Sequence, residues 1–318
     1  MSRIPPDLSK ETTERVLDVM GDEAGMRLDR YLRKHFPWRS REHLKERIRT
    51  GLVTVNGKTT KVSQAVRAGD EVRIHLVRHG EPCDPSTIPL PILYEDDLVL
   101  VIDKPAGYVV HPVGRHQHDT IINALHLRYR NTEDPAKDIV PKLAHRLDQW
   151  TSGALLIAKR DDVRSELGRQ FAHREVHKEY LAITVGTPDP ENGEVEAPIG
   201  KNPDQENDLP MRVRDDGEPS LTLYETLRVL GRHAFVRCRP MSGRTHQIRV
   251  HMAYVGAPLV ADMMYGDGEP LVVDGETLLE NYPLHSAALD FCHPGTGERL
   301  RVEAPLPEDM KTAIEALA

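Results

Sequence analysis

Apolar residues recur at helical spacing in two segments near the start of the chain. Leu28 and Leu32 would share one face of a first helix, and Leu44 and Ile48 would share one face of a second. Ser40 stands just before the second segment, where its hydroxyl can accept an unpaired N–H of the first helical turn. The pattern therefore predicts two short amphipathic helices, the second capped by Ser40.

Strand-like alternation follows these helices. Val53-Thr54-Val55 alternates and leads into Asn56-Gly57, the dipeptide most typical of a two-residue hairpin turn. Val72 and Ile74 alternate in a later strand. The pattern predicts a small α+β unit of two helices and a hairpin.

Short strands outnumber helices in the rest of the chain. Ile92-Leu93-Tyr94 and the run Leu98 to Ile102 predict a hairpin, and the apolar run Ala154 to Ala158 predicts a buried strand. A further strand is predicted from Tyr180 to Val185. We therefore expect an α+β domain around a mainly antiparallel, mixed sheet.

Two helices are predicted among these strands. Asp161 would cap one of them, and the other would span the segment from Thr245 to Val255, capped near Thr245, with Arg249 in its first half. The stretch between them at 200–219 is polar, and it predicts a mobile loop over or beside a site.

Charge separates the two parts of the chain. Residues 26–80 hold 14 Lys or Arg against 5 Asp or Glu, a net charge of +9. The whole chain carries −8, so the remainder carries −17. Because the distribution of charge matters more than its total, the basic unit is compatible with a nucleic-acid partner.

Length and composition narrow the class of protein. The 318 residues suggest about two domains, and no apolar stretch approaches the ~20 residues of a membrane span. No secretory signal is visible, and the three cysteines show no paired spacing, so we expect a cytoplasmic protein with no membrane partner. We predict an N-terminal extension at 1–25, a basic domain at 26–80, a proline-rich linker at 81–91 and a second domain at 92–318.

One nonapeptide carries candidate chemistry, His145-Arg146-Leu147-Asp148-Gln149-Trp150-Thr151-Ser152-Gly153. Asp148 stands between a guanidinium and a turn of small residues, just ahead of a predicted strand. Loops that feed a rigid sheet commonly display catalytic groups, so this position suits a catalytic carboxylate. The alternative is that Asp148 only caps the neighbouring backbone.

Three further motifs accompany the nonapeptide: Asp103-Lys104-Pro105-Ala106-Gly107, His177-Lys178-Glu179-Tyr180-Leu181-Ala182 and Gly243-Arg244-Thr245-His246-Gln247-Ile248-Arg249-Val250-His251. Together the four resemble the RluA-type family of RNA pseudouridine synthases, from about Ile92 to Pro307. The basic unit resembles the S-four-like RNA-binding domain. The resemblance implies the pseudouridine synthase fold for the second domain, with RNA as the partner.

The resemblance implies an isomerisation. The bond between uracil and ribose is broken, the base turns, and a carbon–carbon bond forms at the fifth ring carbon. By resemblance Asp148 is the catalytic carboxylate, acting as nucleophile at the anomeric carbon or as base at the neighbouring sugar carbon. Arg249 would pair with Asp148, and Tyr180 would contact the uracil. The alternatives are a surface ion pair for Arg249 and strand packing for Tyr180.

Other residues would bind RNA by resemblance. Arg146 would fill the gap left when the target uridine leaves its stack, which costs roughly a few kcal/mol. Lys104 and His111 would touch phosphate or support the site. The cations of the second helix would grip RNA, unless they only form a solvated helix face: Arg41, Lys45, Arg47 and Arg49.

No cofactor and no metal are expected. The isomerisation requires neither, and the sequence has no glycine loop of the phosphate-binding kind. His246 and His251 are five residues apart, so they share neither a helix face nor a strand face and make a poor ligand pair.

Departures from the family pattern flank the site. The usual Gly-His-Pro appears as Gly256-Ala257-Pro258, and the usual Gly-Asp appears as Ala261-Asp262. These changes leave the identity of the RNA substrate undecided.

We expect a monomer acting on ribosomal RNA, with large-subunit RNA favoured because such a basic domain accompanies many ribosome-directed members. The alternatives are a transfer-RNA pseudouridine synthase and a non-catalytic RNA-binding ribosome assembly factor.

Overall fold

The computed structural model describes residues 7–8, 14–36, 40–75, 84–113, 116–134, 136–202 and 210–318. The chain divides into two compact units. Residues 14–75 lie in the small unit, and nearly all of the described residues from 84 onwards lie in the large unit.

The small unit is a four-stranded sheet with two helices. Its elements are β1 Glu14–Asp18, α1 Leu28–His35, α2 Arg41–Arg49, β2 Val53–Val55, β3 Lys58–Thr59 and β4 Glu71–His75. The strand order is β1-β4-β2-β3. Both predicted helices and the hairpin are confirmed. Ser40 Oγ accepts a hydrogen bond from His43 N at 3.2 Å, and Asn56 and Gly57 both have the positive φ of a hairpin turn.

The predicted N-terminal extension contributes a strand to this sheet. β1 pairs antiparallel with β4, from Glu14 opposite His75 to Asp18 opposite Glu71. Both faces of β1 stay largely accessible to solvent, so its sequence carries no hydrophobic alternation. Backbone pairing with β4 holds this strand at the edge of the sheet. The pattern of side chains carries no sign of that pairing.

The large unit contains fourteen strands and four helices among its described residues. The first strands and helices are β5 Ile92–Glu95, β6 Val99–Lys104, α3 Ile121–Tyr129, β7 Lys142–Leu143, β8 Ser152–Ala158, α4 Asp161–Ala172, β9 His177–Val185 and β10 Asn192–Glu196. The next are β11 Ile199–Lys201, β12 Met211–Val213, β13 Leu221–Leu230, β14 His233–Pro240 and α5 Gln247–Tyr254. The last are β15 Leu271–Val273, β16 Glu276–Leu279, β17 Leu284–Cys292, β18 Arg299–Glu303 and α6 Glu308–Ala316.

Ten of these strands form one sheet in the order β10-β13-β14-β9-β17-β8-β6-β5, with β18 beside β17 and β7 beside β8. The pairs are antiparallel except for β8 and β17, which run parallel. The predicted α+β fold with a mainly antiparallel, mixed sheet is confirmed.

Both faces of the central strands are covered. On β6, Leu100 and Ile102 pack with α3, whereas Val99 and Val101 pack with α4. Because successive side chains of a strand point to opposite faces, a strand between two helix layers must be apolar throughout. This burial explains the uninterrupted apolar run that predicts β8, and it makes the centre of the sheet a rigid base for the loops at its ends.

Two local predictions are wrong, and the position of one helix cap is refined. The N-cap of α4 is Arg160 rather than Asp161, whose carboxylate pairs with Lys142. The cap of α5, predicted near Thr245, is the adjacent residue His246. The stretch 200–219 is not a loop throughout, since β11 and β12 pair within it, and residues 203–209 lie outside the described part of the chain.

The second half of the predicted linker packs on the large unit. Ile88 is 4% exposed and belongs to the same apolar cluster as α3, and a single 3-10 turn spans Pro85–Thr87. Residues 81–83 lie outside the described residues. The domain boundaries stay predictions, but the described part of the linker is anchored by burial rather than extended in solvent.

Candidate active site

Asp148 lies in the loop that leads into β8. Its carbonyl accepts a hydrogen bond from Thr151 N at 3.2 Å, and its side chain is 27% exposed. Gly153 follows with a φ of +100°, and a Cβ there would lie 2.3 Å from the carbonyl oxygen of Ser286. Only glycine lets β8 approach β17 this closely. The loop that carries Asp148 is thereby fixed to the centre of the sheet.

Lys104 ends β6 and is fully buried. Its Nζ donates to the carbonyl oxygens of Pro105 at 2.8 Å, Tyr108 at 2.9 Å and Gln149 at 3.0 Å. Three acceptors match the three protons of an ammonium. Burial lowers the pKa of Lys104 to about 7, and the carboxylate of Asp148 opposes this shift. Of the two roles predicted for Lys104, this position leaves no surface for phosphate contact and fits support of the site.

Two more hydrogen bonds join the loop after β6 to the Asp148 loop. Gly107 N donates to the carbonyl of Gln149 at 2.9 Å, and Gln149 Nε2 donates back to the carbonyl of Gly107 at 3.0 Å. Together with the Lys104 ammonium, they hold two loops distant in sequence as one surface.

Arg249 projects from the first half of α5 and faces two carboxylates. Its Nε and Nη2 donate to the two oxygens of Asp262 at 2.7 and 2.8 Å. Its Nη1 lies 3.7 Å from Asp148 Oδ2. Arg249 is 4% exposed and Asp262 is 0% exposed, so this is a buried, two-pronged ion pair. Burial alone would lower the pKa of Arg249, but the hydrogen bonds to Asp262 raise it on balance, and the guanidinium stays charged.

Aromatic rings and backbone amides complete the surroundings of this pair. The Arg249 Cζ lies 4.0 Å from the ring centroid of Tyr282 and 4.9 Å from that of Tyr265. Asp262 Oδ1 also accepts from the backbone N–H groups of Met264 at 3.0 Å and Tyr265 at 3.1 Å. Asp262 binds one edge of the guanidinium, and the two tyrosine rings pack against the guanidinium. Its orientation is therefore set before any ligand binds.

His246 joins the site from the start of α5. Its Nε2 lies 4.0 Å from Asp148 Oδ1, and its Nδ1 lies 2.9 Å from Tyr265 Oη. Its backbone has a φ of +56°, a left-handed conformation that is uncommon for residues other than glycine. Burial lowers the pKa of His246, against the opposing charge of Asp148, so a neutral imidazole borders the carboxylate near pH 7.

Tyr180 stands on β9 and is 8% exposed. Burial raises its pKa, a hydrogen bond to Ser286 opposes the rise, and the charge of Asp148 adds to it. The hydroxyl therefore keeps its proton at neutral pH. The same apolar cluster includes Ile248 and Met252 of α5, so the strand of Tyr180 and the helix of Arg249 contribute to one core.

The two predicted RNA contacts of the large unit that lie at the surface are Arg146 and His111. Both side chains are exposed, and Arg146 stands two residues before Asp148. His111 Nδ1 lies 3.0 Å from the carbonyl oxygen of Pro112. Their positions agree with contact to a large ligand at the surface, and they lie outside the ion-pair cluster around Arg249.

The four predicted cations of α2 divide into two kinds. Arg41 Nη2 lies 2.7 Å from the carboxylate of Asp29, which is 0% exposed, and Arg47 donates to the carbonyl of His75. These two arginines hold the small unit together. Arg27 Nε also lies 3.1 Å from Asp29 Oδ1, so two arginines compensate this buried carboxylate. Arg41 therefore serves the fold even if it also meets RNA.

The other two cations of α2 form accessible ion pairs. Lys45 Nζ lies 2.8 Å from Glu42 Oε2, and Arg49 Nη1 lies 3.5 Å from Glu46 Oε2. Surface pairs of this kind contribute roughly 0–1 kcal/mol, so their cations can exchange a carboxylate for a phosphate at little cost.

His145 anchors the start of the Asp148 loop through contacts with β8 and α4. Its Nε2 accepts a hydrogen bond from Leu156 N at 3.0 Å, and its ring stacks on Phe171 with 4.9 Å between centroids. Burial lowers the pKa of His145 to about 3, and the charge of Lys178 adds to this effect. Only a neutral imidazole nitrogen can accept the Leu156 proton.

Acid should destabilise the protein through His145. The pKa in the folded state, about 3, lies below the ~6.5 of an unfolded histidine, so the unfolded state binds more protons in between. The contribution is complete above pH ~6.5 and is lost as the pH falls toward 3. We expect this group to lower the free energy of unfolding by about 2 kcal/mol between pH 7.5 and pH 5. Urea unfolding at both pH values measures the loss. His145→Gln keeps an acceptor that does not titrate, and an equal loss in that variant would contradict the assignment.

The histidines of the described residues do not gather into a metal site. No group of three or more His, Cys, Asp or Glu within those residues could hold a metal ion. His251 is buried, with Nδ1 2.9 Å from Thr222 Oγ1 and Nε2 2.9 Å from the carbonyl of Ala197.

The helices of the described ranges are all too short or too polar to cross a membrane.

Sequence reasoning missed the carboxylate that holds Arg249, and it missed His246, Tyr265 and Tyr282. One signal for Asp262 was present. It ends the apolar stretch Ala257 to Ala261, and a lone carboxylate there, shortly after the arginine helix, needs a buried partner. The rings had no comparable signal, because nothing in their spacing separates them from ordinary core residues.

Comparisons with known proteins agree on one family. Residues 98–254 match the RNA pseudouridylate synthase family, and residues 26–72 match the S4 domain. The chain is 40% identical to a ribosomal large subunit pseudouridine synthase D of Xanthomonas campestris pv. campestris, over 94% of this chain and 91% of the relative. It is 38% identical to ribosomal large subunit pseudouridine synthase C of Escherichia coli K12, over 95% of this chain and 96% of the relative.

A solved structure agrees with this relationship. Human RNA pseudouridylate synthase domain containing 4 superposes with a TM-score of 0.58 at 27% identity, covering 71% of this chain and 92% of that one. Identity near 40% over almost the whole length indicates that this chain and the relative share a common ancestor. The chain therefore belongs to the RNA pseudouridylate synthase family, and it is an enzyme that isomerises uridine to pseudouridine in RNA.

Proposed function

We propose that this enzyme modifies large-subunit ribosomal RNA in the cytoplasm as a monomer, with Asp148 as its catalytic carboxylate. The observation that carries the proposal is the shared guanidinium of Arg249, 3.7 Å from Asp148 and locked on Asp262. The RNA class rests on the names of the Xanthomonas and Escherichia relatives, which are both ribosomal large subunit enzymes.

Asp148 meets the two requirements of the reaction. A carboxylate that attacks the anomeric carbon, or removes a proton from the neighbouring sugar carbon, must be ionised and reachable. The fixed cation of Arg249 lies 3.7 Å from Asp148 Oδ2 as a counter-ion, and the 27% exposure of the Asp148 side chain leaves it open to a flipped nucleotide. Either role uses the same position of the carboxylate.

Tyr180 and Arg146 would handle the uridine itself. The buried Tyr180 offers a ring for stacking on the uracil and a protonated hydroxyl for hydrogen bonding. Arg146, exposed on the same loop as Asp148, would occupy the place of the flipped base in the RNA stack. His111 would contact RNA at the surface, and Lys104 would act by holding the two loops together.

The substrate is tested by tritium release from RNA labelled at the fifth carbon of uracil. We expect release from large-subunit ribosomal RNA transcripts or particles, because isomerisation replaces that hydrogen with the bond to ribose. Transfer RNA transcripts serve as the comparison. Faster release from transfer RNA would reject the ribosomal assignment, and release from no RNA would favour an assembly factor on the same scaffold.

The small unit should supply salt-dependent RNA affinity through α2. We expect the Lys45→Gln/Arg49→Gln variant to bind ribosomal RNA more weakly. The slope of log K against log salt should fall by about 1.5, because each phosphate that the protein no longer neutralises lowers it by roughly 0.7 to 0.9. Filter binding between 50 and 300 mM KCl measures the slope.

The matched control for this test is Arg160→Gln/Lys311→Gln, which also removes two exposed cations but from the large unit. Equal slopes in the two variants would mean that α2 does not meet phosphate. Charge substitution is preferable to deleting residues 1–80, because Leu8 packs on the large unit and donates a hydrogen bond to His126 at 3.0 Å.

A further inference from the structure

A cleft beside the catalytic loop has the composition of a nucleotide site. Its volume is about 320 Å³, within the roughly 300–1,000 Å³ of small-ligand pockets. Four apolar side chains line the cleft: Phe171, Val176, Pro240 and Met241. Four cations line it as well, beside two carboxylates: Arg174, Lys178, Arg239 and Arg301. A base requires the first kind of surface, and a phosphate requires the second.

The positive charge of the cleft exceeds its negative charge. Glu179 accepts from Arg239 at 3.1 Å and also lies 3.4 Å from Arg237 and 3.7 Å from Arg301. Arg237 also pairs with Glu225 at 2.7 Å, and Arg301 pairs with Glu303 at 2.8 Å. The four Lys and Arg side chains of the lining still outnumber its two carboxylates, Glu179 and Asp290. The arrangement keeps the arginines in place and leaves a field that attracts an anion.

Lys178 adds a cation at the inner end of the cleft. Its Nζ donates to the carbonyl of Ser242 at 2.5 Å, and an ammonium has two further protons to donate. Burial lowers the pKa of Lys178 to about 8, with the charge of Arg174 adding to the shift. The second carboxylate of the lining, Asp290, lies 2.7 Å from Arg299, so it does not cancel this charge.

One ring contact and one shared strand link the lining of the cleft to the active site. Phe171 stacks on His145, three residues before Asp148. Lys178 stands two residues before Tyr180 on β9, where side chains point to the same face about 6.5–7 Å apart. The lining contains none of the residues that surround Arg249, so the cleft is a neighbouring site rather than part of the reacting one.

We propose that this cleft binds a nucleotide of the substrate RNA that flanks the target uridine, with its phosphate on Arg174 and Lys178 and its base against Phe171 and Met241. The inference rests on the RNA modification activity and extends it to a second nucleotide. Such a contact would anchor the strand next to the flipped uridine and would contribute to the choice of sequence around it.

Steady-state tritium release tests this cleft with Arg174→Gln and Met241→Ala, both at exposed side chains. We expect KM to rise about tenfold in each variant, with kcat within about twofold of wild type, because the cleft binds without touching the reacting atoms. The salt slope of KM should fall by about 0.7 for Arg174→Gln and stay unchanged for Met241→Ala. Arg169→Gln is the matched control, since it removes an exposed arginine of α4 outside the lining.

The proposal fails if both cleft variants match Arg169→Gln in KM and salt slope. Lys178→Met is a third variant, judged with its thermal midpoint because Lys178 is partly buried. The assay uses whichever transcript the wild-type enzyme modifies. A preference for transfer RNA would thus overturn the proposed ribosomal target, and it would leave the result for the cleft readable.

Discussion

Asp148→Asn should release no measurable tritium, with a loss of activity on the order of 10⁴-fold or more. The amide keeps the shape of the side chain but can neither attack carbon nor accept a proton, so both roles of the carboxylate disappear. The measurement is single-turnover tritium release with enzyme in excess over RNA, which separates the chemical step from product release. RNA binding should stay near the wild-type value, because the backbone of the loop is held by Thr151, Gln149 and Lys104 rather than by the carboxylate.

Asp97→Asn is the matched control for this substitution. It makes the same change at an exposed turn residue between β5 and β6, far along the chain from the nonapeptide. If Asp148→Asn kept more than a small fraction of wild-type turnover, another group would have to carry the chemistry, and the role of Asp148 would reduce to capping its turn.

Asp262→Asn should lower both stability and activity. Removing one member of a buried ion pair leaves an uncompensated charge, which costs roughly 3–5 kcal/mol. The Arg249 guanidinium would then turn toward Asp148, its nearest remaining carboxylate, and tie up the oxygens that must react. We expect the urea midpoint to fall and kcat to drop by about 100-fold or more, as when a fixed electrostatic donor is removed from an active site.

A double variant separates these two effects. Arg249→Met/Asp262→Leu replaces the buried pair with apolar side chains, a change that is often neutral for stability. We expect it to recover most of the unfolding free energy that Asp262→Asn loses and to remain inactive. Recovered activity in the double variant would show that the pair does not serve the reaction. An unchanged urea midpoint in Asp262→Asn would show that the pair does not stabilise the fold.

The elements that could be predicted from sequence are those fixed by local rules. α2 follows from the Ser40 cap and the spacing of its apolar residues, and the buried run of β8 follows from its cover on both faces. β1 escaped prediction, because an edge strand with accessible faces has no apolar alternation. The start of α5 could be predicted only to within one residue, because its cap, His246, has a left-handed backbone that side chains other than glycine rarely adopt.

The chemistry of the site was only partly readable for a similar reason. Motifs indicated Asp148, Tyr180 and Arg249, and the structure brings their side chains into one neighbourhood. They did not indicate Asp262 as the partner of Arg249, because that contact needs the chain to reverse after α5. The sequence left Lys104 with two possible roles, phosphate contact or support of the site, and only its burial at the end of β6 reveals three carbonyl partners.

The unequal sharing of Arg249 bears on the energy of substrate binding. Asp262 accepts hydrogen bonds from the two guanidinium nitrogens and from the N–H groups of Met264 and Tyr265. It is the permanent counter-ion. Asp148 receives only the longer approach of the third nitrogen. A uridine can therefore reach Asp148 without displacing a cation, so little reorganisation is needed at the moment of reaction. The free enzyme already holds the charges that the reacting complex needs, which leaves the binding energy of the RNA available for extruding the uridine from its stack.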